Sequence, residues 1–446
     1  MRNFDLICTI NKLSVAVMKT KFLLLVLLSV FFSGFKSFAA SAPSIDPDNS
    51  SYTTVGIGQN RFAVQSMWFY SPSTSNPCQF DKFTNQVFTS MAVASGKVYI
   101  SYCLPEDSEV FLVEYDAATG KPLRKISLSG LPSSTVAVSD IFTDSEGHLC
   151  GCTKAFDGAA ESDAKLIVYE IGADGAVGSL HELEVSAKRD VVSSCRIVGD
   201  IRGDFSVWAA GSASSDVRIL YWATPTTKVK VYATGLQTNS DYNMVEPIDS
   251  SHLYLAADGN YLQTVDLSDG VEVTSLKTSV KRSCAPAVAE VTGEKMLAYV
   301  TSCSRTADVK FGVATVADPS SALWTLPASG LGYSSLCQSP QAWVKAVKFN
   351  DYETHIYLYS VGIGLAAYSL YDVVRGGVEP VASDAEWQVE GNKLRFGRPV
   401  SASVFDLSGR EVLRSAQTDE IPLSSLCKGC YVVTTDGGIV VKMVNR

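Results

Sequence analysis

Three features of the sequence predict an all-β chain. Between residues 55 and 371, short runs of Val, Ile, Tyr, Phe and Thr alternate with Gly, Asp, Asn, Ser and Pro, and no convincing helix interrupts them. The runs recur with a period of roughly 45–55 residues, the range of propeller blades and too long for leucine-rich or hexapeptide solenoids. A further set of short strands follows a break in the pattern, at residues 387–446. Together they predict a β-propeller of six blades, with five or seven allowed, followed by a small Ig-like β-sandwich. Two stacked β-sandwiches are the alternative for the body.

Taken in order, the chain opens on a secretory signal. Met18-Lys19-Thr20-Lys21 is a short positive segment, residues 22–35 form an apolar run, and Ser37-Phe38-Ala39 offers small residues for cleavage. Ala40-Ser41-Ala42 is a neighbouring alternative. The run is shorter than the roughly 18–20 residues of a membrane-spanning helix, so no transmembrane anchor is expected. Residues 1–39 are therefore read as a signal peptide with its start at Met18. Residues 40–54, rich in Ser, Pro, Asp, Asn and Thr, read as a flexible leader.

The propeller is placed at residues 55–371. One strand recurs at residues 96–100, 147–150, 205–209, 251–255, 295–300 and 354–359, and a second follows at 111–116, 166–171, 217–222, 262–267 and 365–370. A four-stranded unit can bury its two faces only against neighbours, so closing a ring removes the exposed ends. Six copies fit between Cys78 and Tyr371, and the strand at residues 61–70 is expected to complete the last blade. Residues 372–386, with Gly376-Gly377, Pro380 and Ser383, form a linker. The tail then shows strands at 387–389, 393–396, 400–406, 411–413, 431–434 and 439–444, separated by Gly391-Asn392, Ser408-Gly409 and Asp436-Gly437-Gly438.

Composition narrows the function classes. Hydrophobic residues make up 46% and charged residues 19%, enough for a sizeable core. The formal charge is −9; residues 1–39 carry Arg2, Lys12, Lys19, Lys21 and Lys36 against Asp5, so the mature chain is more acidic still. An acidic chain with no Lys/Arg cluster repels phosphate backbones, which argues against nucleic acid or anionic membrane as partner. Removing Cys8 leaves Cys78, Cys103, Cys150, Cys152, Cys195, Cys284, Cys303, Cys337, Cys427 and Cys430, an even set that fits disulfides in an oxidising compartment. Cys284 with Cys303, and Cys78 with Cys103, stand at the start and the first hairpin of one blade, where antiparallel neighbours come within disulfide range. Cys195 is placed to reach Cys150 or Cys152 in the preceding blade, and Cys337 has no obvious partner.

No set of residues rises to a catalytic, cofactor or metal signature. Gly-x-Ser-x-Gly and His-Glu-x-x-His are both missing. His148, His252 and His355 occupy one position in three blades, and such positions diverge around a ring, while His181 lies beside a loop. Cys150-Gly-Cys152 has no second pair at zinc-finger spacing. Asp46, Asp48 and Asn49 look like a fragment of a calcium loop without its Gly and terminal Glu. Arg202-Gly203-Asp204 reads as a tight turn. Cys427-Lys-Gly-Cys430 precedes a strand rather than opening a helix, so it reads as structural. Trp68, Trp208, Trp222, Trp324 and Trp343 offer either a ligand-binding surface or inter-blade core, with core the better reading for Trp208 and Trp222.

The tail resembles the C-terminal sorting domain of the type IX secretion system of Bacteroidetes. The residues that carry the likeness are Val404-Phe405-Asp406-Leu407-Ser408-Gly409-Arg410-Glu411-Val412, then Leu426-Cys427-Lys428-Gly429-Cys430-Tyr431-Val432-Val433, and the ending Val440-Val441-Lys442-Met443-Val444. The resemblance implies recognition by an outer-membrane export machine, with Asp406, Gly409, Arg410, Gly429, Tyr431 and Lys442 in the sorting motif. Cys427 and Cys430 depart from the family pattern. On residues 137–149 and 197–204 the body resembles uncharacterised propeller-type proteins of the same phylum, which brings no assigned activity.

The expected function is a secreted or surface-displayed, non-catalytic propeller that binds protein or glycan ligands, with the secretion machinery as partner of its tail. In a cell without that machinery the expected location is the periplasm. A glycan-processing hydrolase or lyase with paired carboxylates at the central channel is one alternative, and a structural envelope component is another.

Overall fold

The computed structural model describes residues 43–70, 88–103, 110–131, 138–153, 165–185, 191–213, 215–238, 243–278, 286–303, 307–332, 342–360, 363–373, 387–390, 393–406, 410–427, 429–435 and 440–445. The segment expected to be a signal, most of the expected linker, Cys78, Cys284 and Gly409 lie outside the described residues, and so do the side chains of Cys103 and Lys442. No helix among the described residues is long and apolar enough to cross a membrane.

The body begins with a hairpin, β1 (Val55–Ile57) and β2 (Asn60–Tyr70). Blade 1 is β3 (Phe88–Ala94), β4 (Lys97–Cys103), β5 (Val110–Asp116) and β6 (Pro122–Ser127). Blade 2 is β7 (Val138–Thr143), β8 (Leu149–Thr153), β9 (Lys165–Ile171) and β10 (Val177–Glu184). Blade 3 is β11 (Val191–Gly199), β12 (Phe205–Ala213), β13 (Asp216–Trp222) and β14 (Lys230–Gln237). Blade 4 is β15 (Asn243–Pro247), β16 (His252–Ala257), β17 (Gln263–Asp266) and β18 (Glu272–Ser275). Blade 5 is β19 (Ala287–Val291), β20 (Glu294–Ser302), β21 (Lys310–Thr315) and β22 (Trp324–Leu326). Blade 6 takes β23 (Ala342–Asn350), β24 (Glu353–Ser360) and β25 (Gly364–Asp372) from late in the chain. Its remaining strands are β2 and β1, with β2 antiparallel to β25 from Phe62 opposite Asp372 to Tyr70 opposite Leu365. The strand expected at residues 61–70 to finish the last blade does so.

Sequence alternation explains why these sheets form a ring. The middle strands are buried on both faces, because successive side chains point to opposite sides of a strand. On β12, Val207 and Ala209 join a core with blade 2, whereas Trp208 and Ala210 join a core with blade 4. On β24, Ile356 and Leu358 pack toward blade 5, and Tyr357 and Tyr359 toward blade 1. Blades 1 and 2 share Tyr99, Ile167 and Tyr169, and blades 4 and 5 share Tyr254, Ala256, Leu297 and Tyr299. Every sheet is thus covered by the next, and blade 6 returns to blade 1. The first strands touch one another, β3 with β7, β7 with β11, β11 with β15, β19 with β23 and β23 with β3, so they surround the axis. The fourth strands, such as β14 and β18, are largely exposed. Two-residue hairpins fit this twist: Ser95 and Gly96 both take positive φ between β3 and β4, as do Thr292 and Gly293 between β19 and β20.

The leader differs from expectation. From Ser44 to Thr53 it is tied to the body instead of running free. Ser44 bridges Phe69, and the Trp324 indole donates to the Thr53 carbonyl at 2.8 Å. Asp46 is buried and accepts from the Tyr368 hydroxyl at 2.8 Å and from the Tyr52 hydroxyl. Asp48 accepts from the Ser329 amide at 2.7 Å, and Asn49 from the Ser66 amide. The three residues that look like a calcium-loop fragment are therefore spent on docking the leader.

The tail forms one five-stranded sheet: β26 (Trp387–Glu390), β27 (Lys393–Asp406), β28 (Glu411–Pro422), β29 (Gly429–Thr435) and β30 (Val440–Asn445). The strands expected at 393–396 and 400–406 are a single strand, β27, whose pairing with β28 shifts register between Arg395 and Val400. Pro399 sits in that shift, where a residue without an N–H removes no ladder bond. Leu394, Val404, Ile421, Tyr431 and Val433 make the tail's own core.

Candidate functional site

The axis carries a buried polar network that crosses three blade joins. Ser90 on β3, Asp140 on β7, Ser194 and Arg196 on β11, and Glu246 on β15 all sit on first strands. Asp140 accepts from Ser194 Oγ at 2.7 Å, from Arg196 Nη1 at 2.7 Å and from Ser90 Oγ. Arg196 Nε donates to Glu246 at 2.8 Å, and its Nη1 also donates to the Cys195 carbonyl at 2.7 Å. Arg196 is 4% exposed, and its guanidinium lies over the Phe142 ring, 5.7 Å from its centroid. Burial works against its charge, yet Asp140 and then Glu246 outweigh burial and hold its pKa above the ordinary arginine value.

Such a buried ion pair is maintained by geometry, since losing one partner would strand a charge at a cost of about 3–5 kcal/mol. Its chemistry is limited for the same reason. Asp140 is buried and already accepts three hydrogen bonds, so it has no free edge for a substrate. Glu246 keeps 31% of its side chain exposed, with one oxygen on Arg196. A glycosidase needs two carboxylates opposed across a sugar; here two carboxylates are opposed across an arginine.

The histidines and the carboxylates beside them are likewise committed. Asp144, in the β7–β8 turn, accepts from the amides of Glu146 (3.0 Å), His148 (2.8 Å) and, across the blade join, Ile201 (3.0 Å). His148 Nδ1 lies 2.9 Å from Asp144 and 3.4 Å from Asp200, a set of ligand atoms close enough to one another for a cation. Asp144's bonds to three amides give that cluster a structural job already. His252 contacts Asp249 at 2.9 Å and Asp266 at 3.4 Å, and His355 contacts Glu353 at 3.0 Å, so the three equivalent histidines each answer to local carboxylates. His181 sits edge-on to Phe205 with Nε2 3.2 Å from the Ile201 carbonyl. The Arg202-Gly203-Asp204 triplet is the expected turn: the Gly203 amide donates to the Asp200 carbonyl at 2.9 Å, and Arg202 pairs with Glu170.

All five tryptophans weighed as ligand platforms are buried, Trp68, Trp324 and Trp343 as well as Trp208 and Trp222. Among the described residues, the large aromatics exposed to solvent lie on the β23–β24 hairpin. Phe349 is 65% exposed and Tyr352 42%, with Val347 beside them. Phe349 stacks on His355 at 4.8 Å and 16° between planes, and Glu353 anchors that imidazole. Sequence reading missed this ridge because its residues follow ordinary strand alternation; the only signal was a Phe placed next to the turn at residues 350–352.

Of the expected disulfide residues, Cys303 is buried, and its expected partner Cys284 lies outside the described residues. In the tail motif, Arg410 Nε pairs with Asp406 at 3.1 Å and its amide caps the same carboxylate at 3.1 Å. The Tyr431 hydroxyl donates to the Cys427 carbonyl at 2.8 Å.

No protein-family profile and no curated relative matches the sequence. Solved structures with a similar trace share little sequence. A Dyadobacter fermentans protein of unknown function is 9% identical with a TM-score of 0.45, over 69% of this chain and 99% of that one. A luciferin-regenerating enzyme is 11% identical with a TM-score of 0.41, over 67% and 95%. A subtype N10 neuraminidase-like protein of A/little yellow-shouldered bat/Guatemala is 8% identical with a TM-score of 0.37, over 64% and 94%. The propeller assignment stands on the six sheets and their shared cores.

Proposed function

We propose that the chain is a secreted or surface-displayed, non-catalytic propeller that binds a protein or glycan ligand, and that its tail is a type IX sorting signal of a Bacteroidetes cell. The observation that carries the binding reading is the Val347–Phe349–Tyr352 ridge. An apolar ring held out into solvent by a stacked, anchored histidine is a rigid contact whose ordering cost is already met. The commitment of Asp140 to Arg196 supports the non-catalytic half. The tail reading is supported by the motif residues Asp406, Arg410, Gly429 and Tyr431, and it makes the secretion machinery the second partner.

The test is a glycan and extracellular-protein array, run beside a polysaccharide hydrolysis screen, on the purified body and its Phe349→Ala variant. Binding that falls about tenfold or more in the variant, with an unchanged melting temperature, is expected. Product release from any polysaccharide would overturn the non-catalytic reading.

A further inference from the structure

Blades 2 and 3 bring two thiols together. Cys152 lies on β8 and Cys195 on β11, and both are fully buried in one core cluster shared by the two blades. The axial network sets this approach. Asp140 stands directly opposite Cys152 in the β7–β8 pairing, and it is bonded to Ser194 and Arg196, the two neighbours of Cys195. Those bonds fix β11 against blade 2, and Cys195 turns into the same core that holds Cys152. Cys150, two residues back, is turned to the His148 carbonyl at 3.5 Å. The choice that sequence leaves open, Cys150 or Cys152, thereby falls on Cys152.

We propose that Cys152 and Cys195 are a disulfide site that staples blade 2 to blade 3 when the chain folds in the presence of a disulfide oxidant. One thiolate attacks the oxidant's disulfide to give a mixed disulfide and release one reduced thiol. The second thiolate then attacks the protein sulfur of that bond and releases the other. Two protein thiols become one S–S bond, and their two electrons and two protons pass to the oxidant, for example oxidised glutathione becoming two glutathiones. Burial pushes the Cys195 thiol well above its ordinary value and seals both sulfurs from reagents, so the bond forms before blade 3 closes on blade 2. The chemistry belongs to the chain whatever ligand it binds; only its use in the cell rests on the exported reading.

The experiment refolds the full, reduced chain from denaturant in a reduced/oxidised glutathione buffer, alkylates residual thiols, and maps peptides without reduction. The expected result is a cross-linked peptide pair containing Cys152 and Cys195 in most molecules. Alkylated Cys152 and Cys195 in natively refolded chain, or Cys195 joined to any other cysteine, overturns the proposal. A second reading uses Cys195→Ala, with Cys152→Ala as the substitute should that variant not fold. Adding reductant should lower the melting temperature of the unaltered chain by roughly 5 °C more than that of the variant. An equal drop in both overturns stapling.

Discussion

Asp144 joins two blades through one carboxylate. Burial alone would raise its pKa, but the Ile201 amide, His148 and the local turn amides outweigh burial and hold it below the ordinary carboxylate value. A carboxylate depressed in the folded state contributes stability that is complete above the unfolded value of 3.8 and lost as pH falls through the folded value. An Asp144→Asn chain lacks this charge-assisted set and is expected to be about 1–3 kcal/mol less stable at neutral pH. Its deficit relative to the unaltered chain should shrink as the pH drops below 4, because the native carboxylate is then being neutralised. Urea unfolding of both proteins at pH 7, 4 and 3 reads this directly, and a constant deficit across the three would refute it.

At the scale of elements, the blade 6–blade 1 join depends on a glycine. The Trp68 indole from β2 donates to the Ala117 carbonyl at 2.8 Å, and the Tyr70 hydroxyl to the Gly120 carbonyl at 2.9 Å. Gly120 takes φ +69, and a Cβ there would come within 2.6 Å of the Trp68 ring. Gly120→Ala is therefore strained twice, in backbone and in packing, and should cost about 2–4 kcal/mol by denaturant melting. The turn itself was readable from Asp116 to Gly120, since Asp116 accepts from the Thr119 amide and hydroxyl. The middle strands were readable too, because burial on both faces writes unbroken apolar runs. What stayed hidden was partnership across the fold. The leader's Ser, Pro and Asp content gives no sign that Asp46 will meet Tyr368 from the far end of the body. The axial network left a faint mark that could have been used. Asp140 and Arg196 interrupt apolar first strands, and a charge in so covered a strand must find an opposite one. Which charge it finds depends on blade order, and no local pattern records that.

For the whole molecule, the decisive contact is the one between its two chain ends of the body. β2 supplies the fourth strand of blade 6, and the Val373 amide reaches the Arg61 carbonyl at 2.7 Å, so the exit of β25 lies beside the entry of β2. Closure therefore costs the entropy of a loop spanning nearly the whole propeller, and the Phe62, Trp68 and Tyr70 side chains, all buried, offset it. If closure matters as a contact rather than as a connection, the order of the chain can change while the ring stays. A permuted body that joins residue 373 to residue 43 by a flexible linker of about ten residues, long enough to run back along β2, with new ends between β2 and β3, brings β25 and β2 close together in sequence. It should melt cooperatively within a few degrees of the unpermuted body and refold faster, because the longest-range pairing has become short-range. Deleting residues 43–70 outright should abolish the cooperative transition, since blades 1 and 6 would face water with the surfaces that now hold Trp68 and Tyr70. Thermal melts and refolding rates of the three bodies separate these outcomes. A deletion that melts like the intact body would mean that the ring does not need its closing strand.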